Sequence, residues 1–251
     1  MSKTILITGA TSGFGKAAAA IFAKNGNNLI ITGRREDRLK EIQNTLSKKH
    51  GVSVDYLCFD VRDAKAVSAA IKSIGNRKID VLINNAGLAS GINKIQDGNI
   101  EDWEKMIDTN IKGLLYVSKA VMPLMIKQQK GHIINIGSTA GKEAYLNGNV
   151  YCGTKHAVDA ISKSMRIDLL EYGIKVSQIC PGAAETEFSE VRLHGDKEKA
   201  KAVYNGYQPM TAEDVASIIY YVTTLPDNLC INDLVVTSLA QANSHYTNKT
   251  L

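Results

Sequence analysis

Short apolar runs alternate with longer segments of helical periodicity along all 251 residues, and this alternation admits few folds. The runs at 4–8, 28–32, 53–59, 80–83, 131–137, 174–179 and 233–237 are rich in Ile, Val and Leu and mostly lack polar alternation. Strands of that kind are covered on both faces. Between them, residues 15–24, 35–49, 64–73, 101–128, 150–172 and 211–224 place apolar side chains at helical spacing. Strand-helix-strand repetition predicts an α/β fold with a parallel sheet and helices on both faces. Right-handed crossovers make it doubly wound, a Rossmann fold. No Pro-rich or Ser-rich linker divides the chain, so residues 1–251 are expected to form one domain.

Two segments stand outside this rhythm. Residues 183–210 are polar and charged, carry Phe188, Tyr204 and Tyr207, and lack strand character. An excursion of that length is expected to be a substrate lid. The polar tail, residues 241–251, is expected to be disordered or docked on a neighbouring subunit.

Composition removes several function classes. With 44% hydrophobic and 22% charged residues, the chain is neither disordered, collagen-like nor a disulfide-rich peptide. A net charge of +5 is mild and scattered, which favours anionic small ligands and argues against nucleic acid. The first apolar run is stopped by Gly9, and no stretch approaches the ~18 apolar residues of a membrane span. The four cysteines, Cys58, Cys152, Cys180 and Cys230, form no C-x-x-C pair and have no histidine at ligand spacing. They are read as small core residues of a reduced, cytoplasmic protein without a metal site or a membrane partner.

The first strand runs into Thr8-Gly9-Ala10-Thr11-Ser12-Gly13-Phe14-Gly15, and an alanine-rich helix follows. Gly9 permits a tight turn, Gly13 lets backbone approach a pyrophosphate, and Gly15 lets helix and strand pack closely. The helix start offers free N–H donors and a positive dipole end to phosphates. The second strand ends at Gly33, Arg34 and Arg35, where a dinucleotide fold faces the adenosine ribose. An acidic residue there would select NAD. Two guanidinium groups instead suit a 2′-phosphate, so the residues favour NADP.

Tyr151 and Lys155 are four apart on an expected helix and share one face. An ammonium beside a phenol is expected to lower the phenol pKa from about 10 and fit it for proton transfer. Ser138 follows the fifth strand at the sheet edge where ligands bind, and its hydroxyl could hydrogen-bond a substrate oxygen.

With these residues in place, the chain resembles the short-chain dehydrogenase/reductase family over almost its whole length. Residues 8–15 match the T-G-x-x-x-G-x-G turn, and Asn84-Asn85-Ala86-Gly87 matches the N-N-A-G signature. Asn110, Ser138, Tyr151 and Lys155 fall in the order and spacing of the catalytic tetrad. Asp60 and Val61 match the pair beside the adenine, and Pro181, Gly182 and Thr186 match the segment at the nicotinamide end. Runs 84–89, 102–110, 131–141 and 186–192 are similar to the NADP-dependent 3-hydroxy acid dehydrogenases, which act on serine and L-allo-threonine. That resemblance implies a homotetramer. It also implies that Tyr151 exchanges the substrate proton, Lys155 bonds the nicotinamide ribose, Ser138 orients the substrate oxygen and Asn110 places a water. Residues 183–185 look one shorter than the branch's pattern, and Cys152 stands where small neutral residues are usual. The alternatives are a 3-oxoacyl or general carbonyl reductase of the same family, or a non-catalytic NADP-binding protein.

A hydroxy acid carries a carboxylate, and Arg192 is the expected lid residue to pair with it, with Phe188 excluding water. The competing expectation is that Arg192 lies on the lid surface or pairs with Glu187 or Glu190.

Overall fold

The computed structural model describes residues 2–250; Met1 and Leu251 lie outside the description. The strands are β1 (Thr4–Ile7), β2 (Asn28–Gly33), β3 (Val54–Cys58), β4 (Val81–Asn84), β5 (Gly131–Ile136), β6 (Ile174–Pro181) and β7 (Asp233–Val236). All pair in parallel, in the order β3-β2-β1-β4-β5-β6-β7. The direction of winding reverses between β1 and β4, so their carboxyl ends border the crevice where such sheets bind ligands.

Each inner strand feeds two cores because successive side chains point to opposite faces. Ile5 and Ile7 join one apolar cluster while Leu6 joins the other; Val81 and Ile83 divide from Leu82 in the same way. The first face is covered by α1 (Gly13–Lys24), α2 (Glu36–His50) and α9 (Ala212–Thr224). Ala18, Ala19 and Ala23 let α1 approach closely, and Phe22 meets Tyr220 of α9 edge-on at 5.3 Å. The second face is covered by α3 (Ala64–Ser73), α5 (Leu114–Gln128) and α6 (Asn149–Asp168).

The expected helix at 101–128 runs unbroken from Ile100 to Gln128 but carries a π-helical turn. It comprises α4 (Ile100–Ile107), a π-helical turn at Asp108–Gly113, and α5. The wider turn accommodates a tight approach, since a Cβ on Gly113 would lie 2.7 Å from Val61 Cγ2. It also carries Asn110 into the interior.

Residues 183–210 contain two short helices, α7 (Glu187–Arg192) and α8 (Lys197–Ala202). The neck of this excursion is closed by Glu185 N–H donating to Met210 O at 2.9 Å. Two expectations need correction. Cys58 and Cys230 are exposed, because Cys58 ends the edge strand β3 and Cys230 sits in the loop before β7; only Cys152 and Cys180 are buried. The tail is ordered against its own chain. Ala183 N–H donates to buried Gln241 Oε1 at 2.8 Å, and Gln241 bridges to Thr247.

Leu6→Ala empties a fully buried position on the second face. We expect it to cost about 2–5 kcal/mol, seen as a lower urea midpoint at unchanged slope.

Candidate active site

The site grows from the turn after β1. Gly9 has φ +66°, and a Cβ there would lie 2.9 Å from Ala86 Cα; one on Gly15 would lie 2.4 Å from Gly9 O. Gly15 therefore serves packing and does not line the cleft. Asn85 Nδ2 donates to the carbonyls of Thr8 and Gly9 at 2.8 and 3.2 Å. Thr8 Oγ1 accepts the N–H groups of Asn85 and Ala86, both at 3.0 Å. These bonds fix the turn against the end of β4.

Beyond the turn, Ser12 precedes α1 in extended conformation and forms no side-chain cap. The helix's first N–H groups are therefore left to a ligand. A Cβ on Gly13 would meet only Thr186, at 3.7 Å. The backbone there is open to a pyrophosphate.

A cleft of about 590 Å³ runs from this turn across the carboxyl edge of the sheet. Its dinucleotide end is lined by Gly9, Thr11, Ser12, Gly13 and Phe14, with Arg34, Arg35, Asp60 and Val61 beyond. Asn85, Ala86 and Gly87 form its middle, and Pro181, Gly182 and Thr186 face them. Its far end holds Ser138, Tyr151, Lys155 and Arg192. Arg35 is held by Thr11 Oγ1, at 3.1 Å from Nε and 2.8 Å from Nη2, and by Ser12 Oγ at 2.8 Å. Arg34 lies 3.6 Å from Asp60. The open glycine backbone, uncapped helix start and paired guanidinium groups suit a phosphorylated dinucleotide.

At the far end, Lys155 Nζ donates to Ile136 O at 2.9 Å and lies 5.9 Å from the centre of the Tyr151 ring. Ser138 Oγ accepts Ala140 N–H at 3.1 Å. Asn110 stands behind the cleft: its amide donates to Leu88 O and Thr154 Oγ1, and its carbonyl accepts Leu88 N–H. A Cβ on Gly87 would lie 3.2 Å from Asn110 Oδ1 and 3.7 Å from Lys155 Nζ, so the three groups share one corner.

Arg192 enters from α7 of the 183–210 excursion. Its Nη1 donates to Tyr145 OH at 3.0 Å, and its guanidinium lies 5.5 Å from the Tyr145 ring and 5.8 Å from the Tyr151 ring. Its Nε is buried without a hydrogen-bond partner. Neither expected carboxylate holds it, because Glu187 pairs with Arg35 and Arg38, and Glu190 with Lys197. Phe188 packs edge-on to Tyr151 at 5.7 Å.

The sequence model of the short chain dehydrogenase family matches residues 3–196. The chain belongs to that family. It is 43% identical over 247 residues to an NADP-dependent 3-hydroxy acid dehydrogenase of Schizosaccharomyces pombe, covering 97% of this chain and 95% of that one. It is 45% identical over 249 residues to sulfoacetaldehyde reductase 2 of Chromohalobacter salexigens, covering 98% of each. Among solved structures, the closed form of a serine dehydrogenase complexed with NADP+ superposes with a TM-score of 0.90 at 41% identity, covering 97% of this chain and 98% of that one.

In this short-chain dehydrogenase the Tyr151–Lys155 pair departs from expectation. Burial pushes the Tyr151 phenol above its ordinary range, with Tyr145 adding to the rise; a hydrogen bond from Ser138 and the charge of Arg192 oppose it. Burial also pulls Lys155 down to about 8. Helical spacing puts both groups on one face, but removal from water is the largest influence on each.

Several lining groups carried no sequence signal. Tyr145 lies in an irregular segment, and only the glycine that accommodates its ring, Gly148, hints at it: a Cβ there would lie 2.5 Å from the ring. Gln241, Ser244, Thr247 and Lys249 reach the cleft from the tail. Among the described residues, no three His, Cys, Asp or Glu side chains could hold a metal ion, and no helix is long and apolar enough to cross a membrane.

The depressed Lys155 pKa has a stability consequence. Below about pH 8 the folded chain must bury an ammonium, and the full penalty applies. As pH rises from about 8 towards the ordinary 10.5, the unfolded chain holds the proton more tightly than the folded one, so stability rises. Lys155→Met holds no such proton, so its stability relative to the parent should be greatest near pH 7. The difference should shrink as pH climbs through that window. Urea titrations of both proteins without ligand, from pH 7 to 10, measure it; a constant difference would contradict the assignment.

Proposed function

We propose that this chain is an NADP-dependent oxidoreductase acting on a small 3-hydroxy acid, such as serine or L-allo-threonine, or on the matching carbonyl. The observation that carries the acid is Arg192, a guanidinium stacked against Tyr145 and Tyr151 with a buried, unpartnered Nε. Such a group is costly to bury unless an anion completes it. The relatives named for 3-hydroxy acids and serine support the choice. So does the superposition on an NADP+ complex.

The residues divide the work as follows. Arg34 and Arg35 hold the 2′-phosphate, and the uncapped start of α1 holds the pyrophosphate. When bound, NADP supplies the hydride acceptor or donor. Ser138 and Tyr151 grip the substrate oxygen. Tyr151 takes the hydroxyl proton in oxidation and returns it in reduction. Lys155, fixed by Ile136 O, orients the nicotinamide ribose. Asn110 positions Lys155 by holding the Leu88 backbone and Thr154, and places a water in the proton path. Arg192 pairs with the carboxylate, and Phe188 keeps water from Tyr151. The reading also treats residues 1–251 as one domain with a lid at 183–210, working as a cytoplasmic homotetramer.

A second reading has one observation in its favour. The 45% identical relative named for sulfoacetaldehyde suggests reduction of a short anionic aldehyde, whose sulfonate Arg192 would bind as it binds a carboxylate.

Arg192→Ala should lower kcat/KM for the acid by about 2–4 kcal/mol. A neutral alcohol or aldehyde should be little affected. Equal losses would assign Arg192 to lid folding.

Arg34→Ala combined with Arg35→Ala should weaken NADP much more than NAD, since each charge-assisted bond to phosphate contributes about 1.5–3 kcal/mol. Titration with both cofactors reads this out, and equal losses would remove the 2′-phosphate from these residues.

A further inference from the structure

We infer that Glu187 of the lid competes with the cofactor's 2′-phosphate for the guanidinium of Arg35, and so sets how strongly the site prefers the phosphorylated dinucleotide. The inference rests on the proposed 2′-phosphate site at Arg34 and Arg35. Glu187 is the first residue of α7, and its carboxylate reaches across the cleft mouth to the start of α2. One oxygen lies 3.0 Å from Arg35 Nη1 and the other 2.7 Å from Arg38 Nη1. Arg38 is a third guanidinium at this corner that no sequence motif had marked.

The occupancy of Arg35 makes the contact competitive. Its Nε and Nη2 are already held by Thr11 and Ser12, which pins the head in place. Nη1 is the remaining nitrogen, and it carries the carboxylate. Carboxylate and phosphate are both acceptor-only anions that fit the guanidinium fork, so Glu187 occupies Arg35 as a phosphate would. The carboxylate is charged at neutral pH. Burial alone would raise its pKa, but the hydrogen bonds from Arg35 and Arg38 outweigh that and hold it below the ordinary range. A phosphate at Arg35 therefore meets a fixed negative charge and must displace it or bear its repulsion.

Displacement has a mechanical consequence. Thr186, which caps α7 through Phe188 N–H, faces Gly13 of the pyrophosphate turn and precedes Glu187 directly. The other end of α7 stays anchored, because Gly91 N–H donates to Arg192 O at 2.9 Å. Freeing Glu187 would release only the cofactor end of the lid helix. A purely structural strap would leave selectivity for phosphate untouched when removed.

The test uses adenosine fragments that do not reach the substrate end. Binding of 2′,5′-ADP and of 5′-AMP to the full chain and to its Glu187→Gln variant is measured by calorimetry. The parent should prefer 2′,5′-ADP. In Glu187→Gln the affinity for 2′,5′-ADP should rise about three- to fivefold, the size of a half-exposed ion pair. Binding of 5′-AMP should stay unchanged, which also reports an intact fold. If the parent prefers 2′,5′-ADP but the variant binds it equally or more weakly, or if both ligands change together, the competition is overturned while the phosphate site stands. If the parent shows no preference, the phosphate site fails and the competition fails with it.

Discussion

The end of β1 and the end of β4 touch, and the rest of the site is hung from that contact. Thr8 and Gly9 meet Asn85 and Ala86 across 77 residues of chain through four hydrogen bonds of 2.8 to 3.2 Å. A side chain at Gly9 would push the two segments apart. With them together, α1 starts facing the crevice with its N–H groups free. The segment after β4 then carries Gly87 between Asn110 and Lys155. Lys155 in turn is tied to Ile136 at the end of β5. The two ends of the cleft are thus set by one series of side-chain-to-backbone contacts at the sheet's switch point.

The 183–210 excursion, the proposed lid, completes this frame with two arginine contacts of opposite character. At its first helix's start, Glu187 brings an anion to arginines of the main fold. At the end, Arg192 brings a cation to two tyrosines of the main fold. α7 is only six residues long, so the two contacts belong to one rigid unit. His194, just beyond it at φ +53°, lies 3.2 Å from Asp102 and adds a tether to α4 outside the cleft. The lid is therefore held at both ends of α7 by charges whose partners on the fold flank the cleft.

What was legible in the sequence follows from how far apart the partners lie. The strands were read to within about two residues at most ends because their apolar runs encode two-sided burial locally. The glycine turn, the paired arginines and Tyr151 with Lys155 were visible because each is a short-range pattern. Tyr145, Gln241 and Lys249 were not, since they reach the cleft only through tertiary folding. Glu187 looked like a surface partner for Arg192 five residues on; instead it reaches Arg35, 152 positions away. Cys58 was misplaced for a related reason. Its run looks like an inner strand, but β3 is the sheet's edge, and only sheet order reveals that. The π turn at Asn110 had no local signature either: it answers the approach of Gly113 to Val61.

Proximity was readable, but protonation was not. Tyr151 and Lys155 stand at the expected spacing, yet burial drives each towards its neutral form. The cation that does pull the phenol down is Arg192, at 5.8 Å from the ring. Burial, Tyr145 and the Ser138 hydrogen bond all weigh more on the phenol than Arg192 does. On the proposed reading, Arg192 therefore acts on substrate selection by binding the anion, while burial governs the protonation of Tyr151.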